Sequence, residues 1–91
     1  MRYTQAIGIR LNEILKERNL TQTEHARRSE ISRMTVNGII KGRATIVTFE
    51  ILILICAALE ITLTEFFKSS IFEAKLEIVK KQNGRRISFL G

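Results

Sequence analysis

The sequence contains no proline, no tryptophan and no aspartate, and it has one cysteine and one histidine among its 91 residues. Because proline is the residue that most strongly interrupts helices, long helices are permitted along almost the whole chain. The single cysteine, Cys56, excludes an internal disulfide, and its apolar neighbours indicate a small buried hydrophobe. One histidine and one cysteine are too few for a catalytic triad or a metal cluster, so we expect no enzyme activity, no metal and no cofactor.

The chain also lacks a hydrophobic run long enough to cross a membrane. Its longest apolar run, Ile51–Leu59, has nine residues, about half of a bilayer span, and a glutamate flanks it on each side. The N-terminal segment has no apolar stretch of signal-peptide length. We therefore expect a soluble, cytoplasmic protein with no membrane partner.

Positive charge is what the chain has in excess. Its 15 lysines and arginines against nine glutamates give a net charge of +6. Residues 1–45 carry nine basic and four acidic side chains, and residues 46–72 carry one and three. The remaining five basic and two acidic side chains lie in residues 73–91. This excess indicates an anionic partner, which is nucleic acid, an acidic protein or a membrane surface, and it favours the first half and the tail as contact regions.

The hydrophobic pattern predicts an all-α domain. Apolar residues recur at helical spacing from Ile7 to Leu15, and Asn19 is a plausible end of this helix. Thr21 and Thr62 each begin a Thr-x-x-Glu capping box. Further helices are predicted from about Gln22 to Ser29, from Ser32 to about Ile40, from Thr48 to Glu60 and from Thr62 to Phe67. The fourth helix is apolar nearly all round, so we expect it to be the most buried element, and we expect Phe66 and Phe67 to close the core.

The second and third predicted helices are short and are separated by a tight turn at Glu30 and Ile31, which is typical of a helix-turn-helix. The third helix buries Val36, Ile39 and Ile40, so the side chains near its N-terminus face outward. The N-terminal residues of a recognition helix contact base edges in the major groove. The residues predicted to face bases are Arg33, Met34, Asn37 and Gly38.

Each of these four residues has a specific chemical role in this prediction. Arg33 can form a bidentate pair with guanine, and Met34 can pack on a thymine methyl group. Asn37 can pair with adenine or contact a phosphate, and Gly38 allows close backbone approach at a helix cost of about 1 kcal/mol. The alternative interpretation treats Arg33 as a solvated charge and Met34 as packing filler.

The chain resembles the phage repressor and Cro family, also called the Xre family, over about residues 7–67. The matching features are Leu20–Gln22, Ala26, Ile31–Ser32, Val36, Gly42–Arg43 and Ala57–Phe67. The resemblance implies a five-helix, lambda-repressor-like domain that binds double-stranded DNA as a homodimer. It also implies phosphate contacts, which are predicted for Gln22, Ser32, Thr35, Lys41, Arg43 and Thr45.

Three residues depart from the family pattern. His25 stands where the family usually buries a leucine, and we expect a hydrogen-bonded core histidine or a pH-sensitive packing defect. Glu30 stands where the family commonly has the glycine of the turn, and a positive φ there would cost a glutamate about 1 kcal/mol. Gly38 stands where the family often has a longer base-contacting side chain.

We divide the chain into a DNA-binding domain, residues 1–70, and a C-terminal extension, residues 71–91. Asn83-Gly84 is a strong hairpin signal, whereas Phe72, Leu76 and Val79 are spaced for a helix face, and of the two we favour the hairpin. We expect the apolar stripe of this extension to supply dimer contacts.

The predicted function is a sequence-specific transcriptional regulator, acting as a repressor. The alternatives are an antitoxin or accessory module whose tail binds a partner protein, and a basic amphipathic protein at a membrane surface.

Overall fold

A computed structural model describes residues 2–73 of the chain, and these residues form helices with no strand. The helices are α1 (Tyr3–Glu17), α2 (Gln22–Ser29), α3 (Arg33–Ile40), α4 (Phe49–Leu59) and α5 (Leu63–Phe67). Helical backbone resumes at residues 70–73, where the described part ends. The all-α, five-helix prediction is therefore confirmed. The choice between hairpin and helix for the extension concerns residues 74–91, which lie outside the described part.

The predicted N-caps are present at the starts of α2 to α5. The hydroxyl oxygen of Thr21 accepts the backbone N–H of Glu24 at 3.0 Å, and the Glu24 carboxylate accepts the backbone N–H of Thr21 at 3.1 Å. Thr62 and Glu65 repeat this reciprocal arrangement in α5. Each pair satisfies amide groups that a helix start leaves without partners, so these short helices begin at defined residues.

The first helix begins four residues before the predicted start, at Tyr3 rather than Ile7. Thr4 and Ala6 are buried on it together with Ile7, although a threonine does not register as apolar in the sequence pattern. The Gln5 side chain accepts the backbone N–H of Arg2 at 3.0 Å, which stabilises this early start. The helix ends as expected before Asn19, whose φ is +55°.

Side chains from all five helices form one core. Phe66, Ile55, Leu11 and Val36 are completely buried in it. The helix α1 packs against α3, α2 packs against α3 and α4, and α4 packs against α5. This packing holds α3 between α1 and α2, so one of its faces is left for solvent.

The expectation that α4 is the most buried helix is wrong. Phe49 is 66% exposed and Ile53 44% exposed, and they lie one turn apart on the same side of the helix with the exposed Ala57. The described residues pack only against the opposite side, where Leu52, Ile55 and Leu59 are buried. Hydrophobicity all round a helix therefore does not mean burial all round it in this chain.

Phe66 and Phe67 of α5 were both expected to close the core, and the structure confirms this for Phe66. Phe66 is fully buried, whereas Phe67 is partly exposed and packs edge to face on Phe66 with ring centres 5.2 Å apart. Phe72 is half-buried and packs against Phe67, with ring centres 4.8 Å apart. The packed structure thus continues past residue 70. No helix in the described part of the chain is long and apolar enough to cross a membrane.

Candidate nucleic-acid interface

The turn between α2 and α3 is built by three residues, of which two were anticipated from the sequence. Glu30 has φ +61°, the left-handed conformation expected at the position where a glycine is common. The side chain of Ile31 is buried beneath the turn. The third residue, Ser29, was missed: its hydroxyl donates to the carbonyl of Ala26 at 3.2 Å and accepts the backbone N–H of Ile31 at 3.3 Å. A buried serine that bonds locally gives no hydrophobic signal in a sequence.

The helix α3 has one buried and one exposed side. Val36 and Ile39 are buried against the other helices. Residues 32–35 are all exposed, and Met34 is 84% exposed although it is apolar. Among residues 2–73, the Arg33 guanidinium has no hydrogen-bond or ion-pair partner. The outward orientation predicted for Arg33 and Met34 is thus what the fold provides.

The N-terminus of α3 is fixed by a pair of hydroxyl groups. The Ser32 hydroxyl oxygen accepts the backbone N–H of Thr35 at 3.1 Å, and the same hydroxyl donates to the Thr35 hydroxyl at 2.9 Å. Both side chains are exposed, so they remain accessible to a partner. The positive end of the α3 dipole lies at the same place, which favours an anion there.

The predicted phosphate contacts in the loop after α3 are also exposed, and a left-handed glycine forms the bend. Lys41, Arg43 and Thr45 are exposed, and Gly42 has φ +76°, the left-handed conformation common for a glycine just after a helix. The Arg2 guanidinium donates to the Gly42 carbonyl at 3.2 Å and thereby ties the N-terminus to this loop. No motif in the sequence predicts this contact between residues 40 positions apart.

Asn37 connects two of the residues that are predicted to contact phosphate, Gln22 and Arg43. No pattern in the sequence predicts these contacts. Its amide nitrogen donates to the Gln22 side-chain oxygen at 2.9 Å. Its amide oxygen accepts the Arg43 guanidinium at 2.8 Å. Gln22 and Asn37 are each half-buried, so this network lies at the junction of α2, α3 and the loop.

Two glycines set how closely α3 approaches its neighbours. A methyl group on Gly8 of α1 would overlap the carbonyl oxygen of Ile39, so the absence of a side chain there lets α1 and α3 touch. A methyl group on Gly38 would meet no atom within 4 Å. The fold therefore requires a glycine at residue 8 but does not require one at residue 38. Both glycines lie inside predicted helices, so the sequence pattern alone does not distinguish the close approach at Gly8 from the open space at Gly38.

His25 lies on α2 and is fully buried in the core. Its Nε2 atom lies 3.4 Å from the carbonyl oxygen of Ile55, and its Nδ1 atom has no partner among the described residues. Burial lowers the pKa of His25 below its usual value near 6.5, and the nearby Arg28 lowers it further, while the Ile55 contact acts in the opposite direction. The core-histidine expectation is confirmed.

Comparisons with known proteins agree with this geometry. A family model described as the Cro/C1-type HTH DNA-binding domain matches residues 10–70. Three similar solved structures are of the restriction-modification controller protein C.Esp1396I. A tyrosine-to-phenylalanine mutant has a TM-score of 0.71 and 25% identity, covering 80% of this chain and 90% of that chain. A tyrosine-to-alanine mutant has a TM-score of 0.71 and 24% identity, covering 81% and 94%. The wild-type protein has a TM-score of 0.69 and 23% identity, covering 80% and 90%. No curated protein matches the chain significantly.

Proposed function

Because the chain belongs to the Cro/C1-type helix-turn-helix family of DNA-binding domains, we propose that it is a repressor that binds an operator sequence as a homodimer. The observation that carries this proposal is the exposed N-terminal side of α3, where Met34 is 84% exposed next to an unpaired arginine within the described residues. An exposed methionine is costly in water, whereas a thymine methyl group in the major groove gives it an apolar partner.

In this proposal Arg33 and Met34 face base edges, and Gly38 lets the α3 backbone approach the DNA. Ser32, Thr35, Lys41, Arg43 and Thr45 contact phosphates, together with Gln22 at the start of α2. These contacts position the protein without reading sequence. For Asn37, the base contact stays a prediction, and it competes with the hydrogen bonds that its amide group makes to Gln22 and Arg43.

Two features support a homodimer. Family members that bind as two-fold dimers use half-sites one helical turn apart, which places two recognition helices on one side of the duplex. The exposed Phe49, Ile53 and Ala57 of α4 form an apolar side that a second copy of the chain would cover. We propose that this side, together with the extension of residues 71–91, forms the dimer contact.

The likeness to controller proteins of restriction-modification systems supports the regulatory part of the proposal. A dimer bound at an operator blocks polymerase sterically, and nothing in this mechanism needs a catalytic residue, a metal or a cofactor. We propose accordingly that the protein has no enzymatic activity and acts in the cytoplasm, where its DNA is found.

The proposal is tested by selecting binding sites from random duplex DNA at near-physiological salt, since low salt strengthens phosphate contacts and hides specificity. We expect a palindromic sequence to be enriched by the wild-type protein. Arg33→Ala should remove the preference at one position of each half-site and cost about 1–3 kcal/mol there. Arg27→Ala is the matched control, because Arg27 is also an exposed arginine, lies on α2 and is assigned to no base. Its preference should match that of the wild type.

Three outcomes would contradict the proposal. Enrichment of a single half-site would contradict the dimer. If Arg33→Ala and Arg27→Ala lose sequence preference equally, Arg33 has no specific contact with a base. If the folded wild-type protein enriches no sequence, the repressor assignment is wrong. A partner protein that binds the apolar side of α4 or the extension would then explain the chain better.

A further inference from the structure

The network of Gln22, Asn37 and Arg43 joins three separate segments of the interface. Gln22 is the first residue of α2, Asn37 lies in the middle of α3, and Arg43 lies in the loop that follows α3. Two hydrogen bonds of 2.9 and 2.8 Å join the three side chains in series, from Gln22 through Asn37 to Arg43. The two outer members are residues to which the proposed function gives phosphate contacts, and the central member touches both.

The chemistry of arginine fixes the direction of every bond in this network. A guanidinium group can only donate, so the Asn37 atom that faces Arg43 must be the amide oxygen. The Asn37 amide nitrogen therefore points at Gln22, and the Gln22 atom that receives it must be the oxygen. The orientation of both amides follows from Arg43 alone, without any choice between nitrogen and oxygen.

This direction leaves donors at the two ends of the network. The carbonyl oxygens of Gln22 and Asn37 are each turned toward a protein donor. The Gln22 amide nitrogen has no partner among residues 2–73, and the Arg43 guanidinium retains further N–H groups. A set of side chains whose ends only donate matches a partner whose atoms only accept, and phosphate oxygens are such atoms.

We propose that Asn37 is a positioning residue that holds Gln22 and Arg43 together as one phosphate clamp, and that it does not read a base. This inference rests on the proposed phosphate contacts of its two neighbours. A bidentate pair with adenine would need both the oxygen and the nitrogen of the Asn37 amide, so it would break both bonds of the network. The clamp also fixes the loop relative to α2 before DNA arrives, which reduces the ordering cost of binding.

The test measures dissociation constants over a range of salt for the full-length chain on the selected operator and on a scrambled duplex of equal length. We expect Asn37→Ala to weaken binding to both duplexes by a similar factor, on the order of three- to tenfold. The salt dependence should become shallower, as for Arg43→Ala, because one phosphate contact corresponds to a slope of about 0.9. The selected sequence should not change.

A double-mutant comparison separates the clamp from a general loss of structure. In an Arg43→Ala background, Asn37→Ala should have almost no further effect on affinity. Lys41→Ala is the matched control background. Among the described residues, the Lys41 side chain makes no hydrogen bond to the Asn37 side chain, so this background should leave the full effect of Asn37→Ala in place. Thermal unfolding of each variant verifies that the domain remains folded.

Asn37→Asp gives a second, independent discrimination. The carboxylate keeps an acceptor for Arg43 but loses the donor to Gln22, so the clamp predicts weaker binding to both duplexes and no new base preference. If Asn37 reads a base, Asn37→Asp should instead shift the preferred base from adenine toward cytosine, because a carboxylate can accept a hydrogen bond from the amino group of cytosine. A shift of this kind, or an undiminished effect of Asn37→Ala beside Arg43→Ala, would overturn the clamp.

Failure of the proposed function gives a different pattern. If the wild-type protein enriches no operator, the scrambled duplex still tests the clamp, since phosphate contacts do not depend on sequence. If Asn37→Ala weakens binding to that duplex equally with and without Arg43, the clamp is wrong whether or not an operator exists.

Discussion

Single residues explain where this small domain gains and loses stability, and His25 is the clearest case of a loss. Its imidazole is fully buried, with one contact of 3.4 Å to the Ile55 carbonyl and an Nδ1 atom that lacks a partner within the described residues. A buried polar atom without a partner costs about 1–3 kcal/mol. The residue therefore makes the core both less stable and sensitive to pH.

We predict that the wild-type domain loses stability as the pH falls below about 6.5, the usual pKa of an unfolded histidine. Because burial lowers the pKa of folded His25, the unfolded chain binds a proton that the folded chain does not. The contribution of His25 to the free energy of unfolding is then constant above this pH. It falls by up to about 1.4 kcal/mol per pH unit between this pH and the lower pKa of the folded state.

His25→Leu is the matched variant, because it removes the only histidine and supplies an apolar side chain. Urea unfolding between pH 5 and 8 should show a slope for the wild type and almost none for the variant. The two capping glutamates are the same in both proteins, so their effect cancels in the comparison. Their hydrogen bonds to Thr21 and Thr62 hold the folded-state pKa of each below its usual value of 4.5, so the stability they add is lost mainly below about pH 5. Equal pH dependence in both proteins would show that His25 is not the titrating group.

At the scale of the helices, the position of α3 depends on its close contact with α1. Gly8 allows that contact, whereas a methyl group added to Gly38 on α3 would meet no atom within 4 Å. The same glycine-to-alanine change thus has two different structural meanings. One glycine serves the fold, and the other leaves room at the surface that we assign to DNA.

We predict that Gly8→Ala destabilises the domain by about 1–3 kcal/mol, because the added methyl group forces the α1 and α3 backbones apart. Gly38→Ala should instead stabilise it by up to about 1 kcal/mol, since alanine favours a helix and meets no clash. Thermal unfolding of the two variants measures both effects. On DNA, the more stable Gly38→Ala should bind the operator less tightly than the wild type. Unfolding changes of the same sign in the two variants would contradict this assignment.

The helix boundaries could be predicted from the sequence because capping is local. Thr21, Ser32, Thr48 and Thr62 each accept a backbone N–H from within the next three residues, so short motifs were enough to place them. The early start of α1 could not be predicted, since it depends on burial against distant residues. The exposed side of α4 was missed for the same reason.

The candidate site was predictable in its position and less so in its internal connections. The exposed side of α3 follows from helical periodicity once Val36 and Ile39 are assigned to the core. The network around Asn37 joins residues that are 15 and six positions apart in the chain, and no short motif encodes such contacts. The base contact of Asn37 therefore stays a prediction, and the positioning role that we propose for it rests on these two hydrogen bonds.

At the scale of the whole molecule, positive charge is concentrated in the part of the chain that contains the helix-turn-helix. The net charge of residues 1–45 is +5, from nine basic and four acidic side chains, and these residues contain α1 to α3 and most of the loop that follows. An excess of positive charge attracts DNA at long range and makes binding depend on salt. The apolar side of α4 lies on a different helix, so one molecule can use separate surfaces for DNA and for a second copy.

The central claim is that the N-terminal side of α3 enters the major groove, and affinity cleavage tests it most directly. Cys56 is buried and its burial raises the pKa of its thiol, so Met34→Cys creates the accessible thiol to which an iron–EDTA reagent can be attached. Thr64→Cys, exposed on α5, is the control position, and labelled wild-type protein gives the background from Cys56. We predict strong cleavage of the selected operator within each half-site from position 34 and weak cleavage from position 64. Equal or stronger cleavage from position 64 would place α3 away from the DNA and contradict the account.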